Sequence, residues 1–206
     1  MPGAIALGIG SVISFGMNQI LKHETTALGV FTAFYKLWCF VIMPINGLVQ
    51  GMIPVIGYNY GAKNGERVRS AMKKTIIAGV VIMAIVTVLF QLFASQLIGL
   101  FDNGSNGAAF VDMGTSALRI ISIIFIPFGI GQICSNLFQG MGNGIPSLIH
   151  ALMHQCILLL PTTWLLLHIG GTSMIWYAFW FAEIVSTLIV LIIYQYNYKK
   201  YLLCNN

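Results

Sequence analysis

Charge of either sign is scarce in this sequence. Asp and Glu number 5 and Lys and Arg 10 in 206 residues, so charged residues make up 7% of the chain, against roughly 25% in a soluble domain. Acids this sparse leave no pair of carboxylates placed for general acid/base work, and no nucleophile stands beside a base. The reading is therefore not an enzyme. The 4 cysteines, Cys39, Cys134, Cys156 and Cys204, lie far apart, with no CxxC and no Cys/His ligand spacing. That excludes a zinc site and a disulfide framework, and no cofactor is expected. The opening Met-Pro-Gly-Ala has no basic n-region or small-residue cleavage site, so no signal peptide is expected. No run alternates polar and apolar at the rhythm of a membrane β-barrel.

What is abundant is apolar surface. The hydrophobic fraction is 58% and the mean hydropathy is +0.87. A chain this apolar needs lipid as its solvent. Six windows are long and apolar enough to span a bilayer, roughly 4–21, 37–58, 75–99, 116–139, 147–168 and 174–197. The expected fold is all-α, a bundle of six transmembrane helices forming one lobe over residues 1–206.

The net charge of +5 does not point to nucleic acid, because five cations crowd one short stretch. Lys63, Arg67, Arg69, Lys73 and Lys74 face one acid, Glu66, in a basic loop at about 59–74. The stretch after the third window carries Asp102 and Asp112 and no base, and the tail carries Lys199 and Lys200. The positive-inside rule places 59–74 and the tail in the cytoplasm, and an even number of spans places the N-terminus there too. The expected location is the cytoplasmic membrane, with multiple passes and both termini inside. Tyr194, Tyr196, Tyr198 and Tyr201 at one end of the last window, and Trp176, Tyr177 and Trp180 at the other, read as interfacial anchors.

Two windows carry breakers and amides together. The second holds Pro44, Gly47, Gly51, Pro54 and Gly57, with Asn46, Gln50 and Pro54 four apart on one face. The fourth holds Pro127, Gly129 and Gly131, followed by Gln132, Asn136 and Gln139 at i, i+4 and i+7. An amide facing lipid is costly, so these stripes meet protein or a water-filled cavity. They either join helices or line that cavity. Pro44, Pro54 and Pro127 are candidate bending points. Glu183 lies roughly 14 Å into the last window at 1.5 Å per residue, and His154 reaches a similar depth in the fifth from the opposite side. The two either form a proton-sensitive pair, since histidine titrates near neutrality, or lock two helices together. His150 shares a helix face with His154 without a third metal ligand, and the glycine-rich turn at 140–144 has no preceding strand to make it a phosphate loop.

The stretch from Gly51 to Asn64, GMIPVIGYNYGAKN, closely resembles a signature of the multidrug and toxic compound extrusion (MATE) family, where it ends the eighth helix and enters a basic cytoplasmic loop. Ala117 to Ile120 looks like the family's tenth helix and Phe138 to Asn143 like the turn after it. Pro161 and Trp176 also fit. The resemblance covers nearly the whole chain as the last six of twelve helices. It implies half of a transporter that exports amphipathic, often cationic drugs in exchange for H+ or Na+. It also implies a partner, either a second six-helix lobe or another copy of this chain, with the cargo cavity between lobes. The alternatives are a non-transporting membrane subunit and flippase-like export of a lipid-linked cargo. Two departures stand out. Residue 154 is His where related bacterial members often have Arg. The stretches 4–21 and 116–139 contain no Asp or Glu, whereas some members place coupling carboxylates in the corresponding helices.

Overall fold

The computed structural model describes the backbone of residues 2–102 and 107–202 and the side chains of residues 10–102 and 107–195. It contains helices α1 (Pro2–Ile20), α2 (Thr25–Gly61), α3 (Gly65–Gly99), α4 (Gly107–Ser122), α5 (Phe125–Gly140), α6 (Ile145–Leu152), α7 (Leu160–Gly170) and α8 (Tyr177–Leu202). A π-helical segment, Met153–Leu159, joins α6 to α7, and a short 3-10 turn, Gly171–Ser173, follows α7. No strand occurs among the described residues.

These elements fall into six helical units, one per expected window. By length and composition α2, α3, the stretch Ile145–Ser173 and α8 can each cross a membrane, and α4 with α5 forms a fifth such unit bent by 48°. The bilayer-facing character is clearest on α3. Ile77, Val81, Ile85, Val88 and Leu92 are all exposed and recur every three or four residues, which makes one apolar stripe along the helix. In water this stripe would drive aggregation, and in lipid it is at home.

Helix α2 is longer than its window, at 37 residues. Its first three turns are helical because Ala27, Val30, Phe31, Phe34 and Leu37 are buried at helical spacing, which outweighs the interruptions at Thr32 and Lys36. The helix packs on α3, α4 and α5. Pro44 and Pro54 lie inside it without ending it. The fourth unit does break, at Ile123 and Ile124. Pro127 falls in the first turn of α5, where its missing N–H has no intrahelical partner to lose.

The basic stretch 59–74 is mostly helix. After α2 comes a turn at Ala62, Lys63 and Asn64, with Lys63 at φ 55° and the Asn64 N–H donating to the Asn59 carbonyl at 2.9 Å. The Asn64 side chain then caps α3, accepting from the Arg67 N–H at 3.1 Å. Arg67, Arg69, Lys73 and Lys74 therefore sit on the first turns of α3. The end of α5 repeats this construction. Gly142 adopts φ 82° and the Asn143 N–H donates to the Phe138 carbonyl at 2.8 Å, so the glycine-rich turn is a helix C-cap. The two caps lie at the same end of the lobe, where a Cβ added to Gly57 would stand 3.2 Å from the Gly140 carbonyl oxygen.

Trp176 differs from its reading as an interfacial anchor. It is 1% exposed and belongs to the core, in the turn at 174–176 that leads into α8. Tyr177 is exposed, and the Trp180 indole donates to the Ile120 carbonyl at 2.7 Å, tying α8 to α4. The side chains of Tyr196, Tyr198 and Tyr201 lie outside the described residues.

Candidate functional site

A cavity of about 220 Å³ lies inside the lobe, bounded by α1, α2, α4, α5, α6, the π segment and α8. Its character divides between two ends. Phe31, Phe34, Tyr35, Trp38, Phe128 and Phe179 supply rings; Asn46, Gln132, His150, His154, Gln155 and Glu183 supply polar groups. Among the described residues Glu183 is the only acid on the wall, and no Lys or Arg lines it.

The aromatic wall comes largely from α2. Phe31, Phe34, Tyr35 and Trp38 follow one another at the spacing of a single helix face, continued by Ile42 and Asn46. The rings form a connected set. Phe34 meets Phe179 edge-on at 5.4 Å between centroids, and Trp38 meets Phe128 edge-on at 4.6 Å. Such edge-to-face pairs fix ring orientation, so this wall is preformed.

The polar end is assembled from α8 and the α6–π–α7 unit. Glu183 is 1% exposed. Its Oε1 accepts from the Thr187 hydroxyl, one helical turn on, at 2.8 Å. Its Oε2 lies 3.0 Å from His154 Nε2. The ring is not aimed at the carboxylate, so this is an electrostatic contact without a directed hydrogen bond. Three buried polar atoms on the wall lack a hydrogen-bond partner among the described residues: Nε2 of His150, Nε2 of His154 and Oε1 of Gln155. Buried polar groups in folded proteins are nearly always paired, with protein or with water.

The π segment explains why His154 and Gln155 share this wall. Pro161 begins α7 and has no N–H to offer the carbonyl four residues earlier. The preceding turn widens to i→i+5 spacing, a geometry frequent at functional sites. His150 and His154, one turn apart across the start of this segment, keep ring centroids 6.3 Å apart. Among the described residues no group of three or more His, Cys, Asp or Glu could hold a metal ion.

Of the residues singled out from the sequence, Asn46, Gln132, His154 and Glu183 lie on this wall. Gln50 is exposed on α2, and Gln139 is exposed near the end of α5. Asn136 donates to the Gln132 carbonyl at 2.8 Å, a bond within its own helix. None of these three belongs to this cavity. Pro44 and Pro54 lie on the exposed side of α2, and the Pro127 carbonyl oxygen lies 3.4 Å from the Thr187 hydroxyl, whose proton is directed to Glu183. Sequence reasoning missed the ring wall and Gln155. The signal for the rings was the 31, 34, 35, 38 spacing, and the signal for Gln155 was Pro161 six residues downstream.

Asn46 is both on the cavity wall and exposed on α2, so the cavity reaches the outer face of that helix. The face continues through Gly47, Gln50, Gly51 and Pro54, all exposed, and a Cβ added to Gly47 or Gly51 would meet nothing within 4 Å.

The family model described as MatE matches residues 9–165. The multidrug export protein MepA of Staphylococcus saprophyticus is 29% identical over 191 residues, which is 92% of this chain and 41% of that protein. MepA of Staphylococcus aureus is 26% identical over 181 residues, 86% of this chain and 39% of that protein. This chain thus spans about two fifths of the length of these relatives. Among solved structures, a crystal structure of MATE in the bent conformation superposes with a TM-score of 0.90 at 22% identity, covering 99% of this chain and 45% of that one. A MOP superfamily transporter from Pyrococcus furiosus superposes with a TM-score of 0.87 at 22% identity, covering 95% and 44%. These two likenesses establish the fold.

Proposed function

This chain belongs to the MatE family, and on that footing we propose that it is one lobe of an exporter of amphipathic, cationic drugs. The lobe works with a second six-helix lobe, supplied by another polypeptide or by a second copy of this chain. The observation that carries this reading is the open face of α2. A polar, glycine-containing stripe from Asn46 to Pro54 is exposed, with no packing partner among the described residues, yet amides facing lipid are costly. A water-filled cleft against a second lobe satisfies it. Gln50 then contacts cargo in the cleft, and Asn46 stands where the cleft meets the internal cavity. Gln132 lines that cavity; Asn136 and Gln139 line the path toward the capped end of α5.

Export is coupled to an inward flow of H+ or Na+ in the cytoplasmic membrane, with the basic start of α3 and both termini in the cytoplasm. Glu183 is the coupling carboxylate of this lobe, with His154 and His150 the titratable groups facing it from the π segment and α6. Pro44 and Pro54 weaken the backbone ladder of α2 by one donor each, and Pro127 stands beside the existing bend of the fourth unit. These are the points at which the lobe flexes as access alternates.

Ethidium efflux from cells producing the chain together with its partner lobe tests this reading. Paired replacement Asn46→Ala and Gln50→Leu is expected to reduce efflux at least fivefold with the chain still in the membrane. Wild-type efflux from that variant would remove the α2 stripe from the transport path. Glu183→Gln is expected to flatten the pH dependence of efflux, and an unchanged profile would exclude Glu183 as the coupling group.

A further inference from the structure

The internal cavity has features that a passage for drugs does not require. It is small, its ring wall is preformed, and its wall carries one buried carboxylate together with the unpaired buried atoms Nε2 of His150 and Oε1 of Gln155. We propose that it is a discrete binding site for small organic cations carrying a primary ammonium on an aromatic or branched hydrocarbon body. The proposal shares the cationic cargo of the function above, but it stands on binding to this lobe alone.

The argument for charge begins with the wall. Among the described residues Glu183 is the only acidic side chain on it, and no Lys or Arg lines it. Thr187 donates to Oε1, and Oε2 lies 3.0 Å from His154 Nε2. The argument for N–H donors follows from Gln155, whose buried Oε1 is an open acceptor on the same wall. An ammonium offers three N–H donors to acceptors of this kind, whereas a quaternary ammonium offers none. Phe34, Trp38 and Phe128 supply ring faces and edges for the rest of the molecule, and aromatic walls favour cations over neutral solutes.

Size sets the upper bound. An apolar cavity of about 150 Å³ holds benzene, so 220 Å³ accommodates a single ring with a short aminoalkyl chain.

The test is calorimetric titration of the full chain in lipid nanodiscs with 2-phenylethylamine, with empty nanodiscs subtracted. Its neutral counterpart 2-phenylethanol is titrated in parallel. The expected result is saturable one-to-one binding of the amine, at least tenfold tighter than the alcohol. Glu183→Gln should weaken the amine at least tenfold and leave the alcohol within twofold, and Gln155→Leu should weaken the amine severalfold. Absence of saturable amine binding, or equal affinity for amine and alcohol, would mean that the cavity holds water only and would overturn the proposal. An amine affinity unaltered by Glu183→Gln would do the same. Where a variant fails to fold by circular dichroism, the amine–alcohol comparison on the native chain decides the matter. Binding without drug export leaves this site standing and removes the transport reading; export without binding does the reverse.

Discussion

At the scale of single residues, the lobe depends on places where a side chain would not fit. Gly131 is one. A Cβ there would lie 2.7 Å from the Thr187 hydroxyl and 3.6 Å from His150 Nε2, and that hydroxyl is the donor to Glu183 Oε1 at 2.8 Å. Gly131→Ala should therefore act on the carboxylate through Thr187. The expected cost is about 1–3 kcal/mol of stability, the usual range for overpacking a filled core, read as a lower thermal midpoint in detergent. Gly47→Ala is the matched control on the open face of α2, where nothing stands within 4 Å. It should leave the lobe as stable as before or raise stability by up to about 1 kcal/mol through helix propensity. Equal losses from both substitutions would mean that crowding at Gly131 is not what matters.

At the scale of elements, the central feature is the unit running from α6 through the π segment to α7. The wider turn holds one more residue than an α-helix would. Deleting Cys156, which is not on the cavity wall, should return the segment to α geometry with helix content unchanged by circular dichroism. His154 and Gln155 would then turn relative to Glu183, and binding of a primary amine should fall at least fivefold. Unchanged binding would show that the π turn does not position these groups. The contact between α2 and α5 is a second such feature. A Cβ on Gly140 would stand 2.9 Å from Ile56 Cγ2 and 3.2 Å from the Ile53 carbonyl oxygen, so Gly140→Val should push the helices apart and lower the thermal midpoint. The elements differ in how legible they were. Long apolar runs announced α3 and α8, because hydropathy alone decides what lipid accepts. The first turns of α2 were obscured by Thr32 and Lys36, although the burial pattern beneath them is helical. The polar stripes of α2 and α5 were visible as spacing, yet spacing could not separate a cavity wall from an outer face. Asn46 and Gln132 lie on the cavity wall, whereas Gln50 is exposed outside it, because crossing angles decide which turn of a stripe meets a neighbour. His154 and Glu183 were recognisable as near partners from depth alone, since consecutive antiparallel helices share depth when they share loops.

At the scale of the whole molecule, the six helical units enclose a core and a small cavity, and among the described residues they leave one polar face of α2 without a partner. Relatives of this chain are more than twice its length, and it corresponds to about two fifths of them. An exposed polar face on α2 is what the proposed pairing with a second lobe would cover. The most direct test is ethidium accumulation in the cells from which the chain comes, where any partner lobe is present, with the chain overproduced and shown to be in the membrane. The account predicts that overproduction lowers accumulation, that a protonophore or the removal of sodium abolishes the effect, and that the Asn46→Ala, Gln50→Leu pair weakens it. Unchanged accumulation of ethidium and of a panel of other cationic drugs, with the chain inserted, would contradict it.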